Sequence, residues 1–287
     1  MALEVLKFGG SCLSGPDSLP KLRERVEEEA SGGWKPVLVV SALKGVTDNL
    51  VAIWERHVNN GIPCSALEVL SQHVEIAERC IPGARKQFMR SSRLLIERLQ
   101  RMVSTWDYGE HTRAYFYGLG ERLSARLVSM YLESYGIASE VVDTDSGLLV
   151  ASGDPMNSRV DFTLSRGLRD AVTEIVSSGR IPVVTGFIAC DASGMPVLLG
   201  RNGSDYSAAA VARLIGARKV VFYKDVEGIL LDGRPVASMT FREVHELCSA
   251  GAKVLHPLSL EIAMGSGMEV LVRSFERTSF PGTVIRD

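Results

Sequence analysis

Short apolar runs alternate along most of the chain with longer stretches in which apolar residues recur every three or four positions. The first run, LEVLKFGG over residues 3–10, is too short for a helix and closes in two glycines. It predicts a buried strand with a tight turn at its carboxyl end. KLRERVEEEA (21–30) has helical composition and KPVLVVSA (35–42) is a second β-branched run, which completes a βαβ unit. The rhythm returns with a helix over 121–136, a strand over 139–143, a helix through 162–178 and a strand over 181–187. A helix over 205–217, a strand over 219–223, a helix over 241–248 and a strand over 268–274 follow. Such alternation predicts an α/β fold in which helices cover both faces of a mainly parallel sheet, a three-layer αβα sandwich. Ligands are then expected at the carboxyl ends of the strands.

Residues 49–117 break this rhythm. They are helical in composition, and RKQFMRSSRLLIERLQRMVSTW (85–106) shows apolar residues about every three or four positions. The segment is expected to be a helical insertion or lid within a single domain spanning 1–287, with no internal repeat and no low-complexity linker.

Composition narrows the class. Of the 287 residues 46% are hydrophobic and 23% charged, as in globular proteins, and the net charge of −2 gives no basic footprint for a nucleic-acid backbone. Anionic partners must be met locally. No run of ~18 apolar residues suggests a membrane span, and MALEVLKFGGS has no signal-peptide core, so the cytoplasm is the expected compartment. Cys12, Cys64, Cys80, Cys190 and Cys248 form no CxxC pair and are expected to be reduced thiols.

Several stretches carry candidate chemistry. In KFGGS (7–11) Lys7 near a strand end precedes Gly9, Gly10 and Ser11, a turn whose successive N–H groups can cradle a phosphate beside the lysine charge. The same residues serve equally as a plain Gly-Gly turn with an exposed lysine. In VVSALKGVTDNL (39–50) Ser41, Thr47 and Asp48 fall at a strand end and a helix start, where hydroxyls bind ligands or simply cap. Glu121 opens a helix after GLG, either to meet an amine or to complement the helix dipole. In LLGRNGSDYSAAAVARLIGA (198–217) Arg201 can hold a carboxylate through two parallel hydrogen bonds. Ser204 and Asp205 stand at the positive end of a helix that favours phosphate. Asp205 tolerates such a neighbour when a divalent metal or Lys7 lies between them, a combination that points to phosphoryl transfer. In SAGAKVLHP (249–257) Lys253 and His256 follow a helix, His256 reading as a turn residue. Neither a Walker A order nor a complete dinucleotide fingerprint occurs.

Taken together, KFGGS, VVSALKGVTD, GERLSA, LLGRNGSDYSAAAVA, KDVEGI, GAKVLHP and VRSFERTSFPGTVI resemble the aspartate kinase catalytic domain of the amino acid kinase family, from about residue 4 to 286. The resemblance implies the amino acid kinase fold, with a substrate lobe over about 1–195 and a nucleotide lobe over about 196–287. It implies an enzyme that phosphorylates the side chain of L-aspartate, with ATP and Mg²⁺, and a place in lysine and threonine biosynthesis. Carried over residue by residue, Lys7 and the Gly9-Gly10-Ser11 turn would meet the transferring phosphate, with Asp205 holding Lys7. Ser41, Thr47, Glu121, Phe187, Arg201 and Ser204 would surround aspartate, Glu121 taking the α-amino group. Tyr223, Lys224, Asp225, Gly228, Arg234 and Lys253 would contact ATP. Another small acid as acceptor, or a non-catalytic regulatory homologue, are the alternatives.

The chain departs from the family pattern in two places. YKDVEGILLDGRPVASMTF (223–241) has Lys224 where the family carries threonine and Leu230 where it carries an aromatic residue, and a shortened LDGRP run in which Asp232 and Arg234 stand in. The family commonly continues into ACT domains, whereas this sequence ends at Asp287, so no intrinsic lysine or threonine inhibition is expected. A homo-oligomer or a separate regulatory subunit is compatible with that pattern.

Overall fold

The computed structural model describes residues 2–62, 66–105, 108–252, 254–277 and 279–287. The N-terminal half runs β1 (Leu3–Phe8), α1 (Ser18–Ser31), β2 (Lys35–Val40), then α2 (Val46–Asn60), α3 (Ala66–Cys80), α4 (Arg85–Ser91), α5 (Arg93–Thr105), α6 (Glu110–Tyr117) and α7 (Leu119–Ser134). It continues with β3 (Ser139–Val142), a hairpin of β4 (Ala151–Asp154) and β5 (Asn157–Val160), α8 (Gly167–Ser177), β6 (Ile181–Thr185), and a hairpin of β7 (Ile188–Cys190) and β8 (Pro196–Leu198). The remainder is α9 (Gly203–Ile215), β9 (Lys219–Lys224), β10 (Leu230–Leu231), β11 (Arg234–Pro235), β12 (Ser238–Met239), α10 (Phe241–Ser249), α11 (Pro257–Ala263), β13 (Glu269–Ser274) and β14 (Thr283–Ile285).

Eight strands form the central sheet in the order β12-β14-β13-β9-β1-β2-β6-β3. Among the described residues, the β13–β14 pair is the one antiparallel pairing within this sheet, so the expected mainly parallel sheet is present. Strand alternation divides the interior. Leu6 and Phe8 of β1, Leu38 and Val40 of β2, and Val221 and Tyr223 of β9 face a core shared with α1 and α2–α7. Leu3, Val5, Val37, Val39, Val220 and Phe222 face a second core shared with α8–α11. Because successive side chains of a strand point to opposite faces, Lys7 and Lys224 share the face of Val5 and Phe222, and therefore that of α9.

Three local differences from the sequence expectation have physical causes. The helical stretch expected over 85–106 divides into two helices meeting at the buried Ser92; the Ser91 hydroxyl donates to the Phe88 carbonyl and competes with the backbone ladder there. The strand expected over 181–187 stops at Thr185, because Gly186, Phe187 and Ile188 make a three-residue turn. In it the Ile188 N–H donates to the Gly186 carbonyl at 2.7 Å, and Phe187 sits at φ 66°. In the shortened LDGRP run, Asp232 (φ 49°) and Gly233 (φ 76°) form the two-residue turn of the β10–β11 hairpin, the usual Asp-Gly solution to that geometry. Cys12, Cys80, Cys190 and Cys248 are free thiols; Cys64 lies outside the described residues.

Candidate active site

At the carboxyl edge of the sheet, β1, β2, β6 and β9 open into a cavity of about 780 Å³. Lys7, Gly9, Gly10 and Ser11 reach it from β1 and the following turn, Ser41 from the β2–α2 connection, Thr47 from the first turn of α2, and Glu121 from the first turn of α7. Phe187 enters from the tight turn after β6, Arg201 from the turn before α9, Ser204 and Asp205 from the first turn of α9, and Tyr223 and Lys224 from the end of β9. Residues separated by more than two hundred positions are thus gathered by the parallel topology.

At one end lies a bridged charge cluster. The Lys7 ammonium is 2.5 Å from Asp205 Oδ1, and the Lys224 ammonium 2.7 Å from Asp205 Oδ2. Burial opposes ionisation of Asp205, yet the two lysines outweigh it and bring its pKa down to about 2. Gly9 makes this packing possible, because a Cβ there would stand 2.9 Å from Lys7 Nζ. Beside the cluster, the Ser41 hydroxyl donates to Ser204 Oγ at 2.7 Å. The start of α9 brings the positive end of its dipole to the same wall.

Glu121 has a different environment. Only 3% of it is exposed; Oε1 accepts from the Ala42 N–H at 3.1 Å, while Oε2 is buried with no hydrogen-bond partner. Burial pushes its pKa up to about 7, against the smaller effect of the Ala42 hydrogen bond. Gly120 lets α7 come close enough, since a Cβ on it would stand 2.6 Å from Ala42 Cβ. Phe187 is held in its uncommon backbone conformation from several sides: its N–H donates to Ser207 Oγ at 3.1 Å and its carbonyl accepts from the Leu199 N–H at 2.9 Å.

Other expected nucleotide contacts do not line this cavity or fall outside the described residues. Asp225, Gly228 and Arg234 are not on the cavity wall. Gly228 packs against β14, where a Cβ would meet Thr283 Oγ1 at 2.6 Å, and Arg234 belongs to the exposed β10–β11 hairpin along with its turn residue Asp232. Lys253 lies outside the described residues. His256 caps α11, its Nδ1 accepting from the Leu258 N–H at 3.2 Å, while also lining the cavity. Lys44 and Asn202 line it too without having been singled out by the sequence; the signal for Lys44 is its place in the glycine loop after β2. No group of three or more His, Cys, Asp and Glu side chains suited to a metal occurs among the described residues. Both oxygens of Asp205 are engaged by lysines, so a divalent cation at that end would depend on oxygens brought by a phosphate ligand.

A three-layer α/β architecture whose parallel sheet ends in two lysines, a glycine turn and a helix N-terminus presents a site whose charge and shape suit an anionic small molecule. Residues 2–274 match the amino acid kinase family, and the chain belongs to it. It is 30% identical to a bifunctional aspartokinase/homoserine dehydrogenase of Haemophilus influenzae, over 99% of this chain and 36% of that protein. It is 28% identical to the chloroplastic aspartokinase 1 of Arabidopsis thaliana, over 98% of this chain and 51% of that protein. The chain thus spans about a third to a half of these curated relatives. Among solved structures, aspartokinase III of E. coli in complex with aspartate and ADP superposes with a TM-score of 0.81 at 23% identity, covering 99% of this chain and 64% of that one.

Proposed function

We propose that the chain is an aspartate kinase catalytic unit, transferring the terminal phosphoryl group of ATP to the side-chain carboxylate of L-aspartate to give 4-phospho-L-aspartate and ADP. One observation carries the reading: the unpaired, buried Oε2 of Glu121 shares a cavity with Arg201 and with the Lys7–Asp205–Lys224 bridge. A carboxylate in that state is best satisfied by an ammonium group. The planar fork of Arg201 suits the α-carboxylate, and the lysines suit phosphate. An amino acid with a second carboxylate uses all three groups at once. The names of the relatives, aspartokinases, support the same choice.

In the transfer, the bond between the terminal phosphorus and its bridging oxygen breaks with the electron pair staying on ADP. A carboxylate oxygen of aspartate forms the new P–O bond with its own lone pair. That carboxylate has a pKa of ~3.9 and is ionised at neutral pH, so no general base is needed. The requirement is relief of repulsion between two anions. Lys7, held in place by Asp205, and the N–H groups of the Gly9-Gly10-Ser11 turn provide it where negative charge accumulates. Glu121 holds the ammonium group, and Ser41, Thr47, Ser204 and Phe187 bound the acceptor pocket. ATP would supply the phosphoryl group, and a Mg²⁺ ion bound to its phosphates would add counter-charge to that of the lysines. Asp225, Gly228, Arg234 and Lys253 belong to the nucleotide side of this reading. The product leads toward aspartate-family amino acids, lysine and threonine among them, in the cytoplasm; a homo-oligomer or a separate regulatory subunit is the assembly this reading allows.

The test is turnover with ATP, Mg²⁺ and a panel of amino acids, with hydroxylamine trapping any acyl phosphate as a hydroxamate. Hydroxamate from L-aspartate, and not from L-glutamate or other acids, is the expected result. A folded protein that yields none with any acceptor overturns the proposal.

A further inference from the structure

We infer that Lys224 is a second phosphoryl-contacting residue of this site, one that takes the oxygens of the transferred group together with Lys7. The inference rests on the kinase reading above and adds to it a role for the residue at which the chain leaves the resembling family's threonine.

Asp205 carries one negative charge, and Lys7 alone would neutralise it. Lys224 occupies the second carboxylate oxygen at 2.7 Å, so the buried cluster carries two ammonium groups on one carboxylate. Holding an excess positive charge in a largely buried position is unfavourable unless an anion completes it. Each ammonium has three N–H donors, and their contacts with Asp205, an ion pair for Lys7 and a hydrogen bond for Lys224, leave donors on both for a further acceptor. The two lysines differ in access: the Lys7 side chain is 6% exposed and that of Lys224 22%. Lys224 lines the cavity, so the accessible partner of the pair faces the space where the ligand enters. Strand parity fixes this arrangement, because Lys224 ends β9 on the same face as Lys7 of the adjacent β1. The chemistry remains that of the proposed transfer: the phosphorus–oxygen bond to ADP breaks, the bond to the aspartate oxygen forms, and no proton moves.

The experiment compares binding of ADP with that of its β,γ-imido triphosphate analogue, by calorimetry on the full chain with Mg²⁺, for the wild type, Lys224→Thr and Lys224→Arg. Lys224→Met replaces the threonine variant if the latter does not keep the wild-type circular dichroism. The expected result is a loss of about tenfold or more in affinity for the triphosphate analogue in the uncharged variant, with ADP affinity within about twofold of wild type and a partial recovery with arginine. In the hydroxamate assay kcat should fall about 100-fold, with the KM for aspartate little changed. If Lys224 only positions Asp205, both nucleotides weaken alike or neither does; that outcome, in a wild type that binds both, overturns this inference alone. A wild type that binds neither nucleotide overturns it together with the kinase reading.

Discussion

Replacing Glu121 by glutamine should make the protein more stable at alkaline pH while depriving it of its acceptor. Burial raises the pKa of Glu121 from 4.5 to about 7. The neutral acid is thus the form that folding favours; its contribution is fully present below 4.5 and is lost as the pH climbs through about 7. Above that range the ionised group opposes folding by roughly 3 kcal/mol, at ~1.36 kcal/mol for each tenfold in the proton equilibrium. Glutamine stays neutral at every pH and keeps an acceptor for the Ala42 N–H. It also brings N–H donors to the place of the unpaired Oε2, which costs about 1 kcal/mol. The net gain is then about 2 kcal/mol at around pH 8.5 and close to nothing at around pH 5. For a chain of this size that is a rise of roughly 3–5 °C in melting temperature. Thermal unfolding followed by circular dichroism at the two pH values, with and without L-aspartate, reads both effects. Aspartate should raise the melting temperature of the wild type and leave that of Glu121→Gln unchanged. A variant no more stable than wild type at alkaline pH would refute the reasoning, because Oε2 would then have a partner.

Further predictions concern the opposite end of the cavity. Lys7→Ala should lower kcat by about 10²–10³-fold, the loss expected when one preorganised charge contact to the transition state is removed; wild-type-like turnover would remove Lys7 from the mechanism. Arg201→Ala should raise the KM for aspartate roughly 10- to 100-fold, the worth of a charge-assisted contact, and an unchanged KM would mean the carboxylate is held elsewhere. Gly9→Ala should leave the melting temperature nearly unchanged, since Gly9 has an ordinary φ of −77°. Its new methyl would displace the Lys7 head, 2.9 Å from the Cβ position, and cut kcat by about tenfold. Lowering the pH should remove the stabilisation due to ionised Asp205, which is present above 3.8 and is lost as the pH falls through about 2; in Asp205→Asn this acid-side loss is absent when unfolding curves are compared.

Much of this architecture is legible in the chain because its signals are local. The runs at 3–8 and 35–40 are apolar on both faces, as buried parallel strands require, and the glycines after Lys7 mark the turn that follows. The break at Ser92 is harder to read, since the apolar period continues from Phe88 to Leu95 and Leu99 across it. Phe187 is illegible: a bulky residue has no preference for positive φ, and its conformation is imposed by the Ser207 hydroxyl and the Leu199 N–H. Asp232-Gly233 carries a recognisable hairpin signature, which a comparison with the resembling family's nucleotide segment obscures. The pairing of Lys224 with Asp205 depends on β9 lying beside β1, a neighbour relation that nothing within 219–224 encodes.

Glu121 and Asp205 approach the cavity from opposite layers, α7 above one core and α9 above the other, with the sheet between them. The groups proposed for the ammonium end and the phosphoryl end of the acceptor are therefore fixed to separate bodies that meet along one edge. If the proposed roles hold, their spacing would act as a ruler for the length of the acceptor's carbon chain, set in part by the thickness of the sheet. Substitutions deep in either core, distant from the cavity, would reset it. Discrimination between homologous diacids would in that sense depend on how the layers stack.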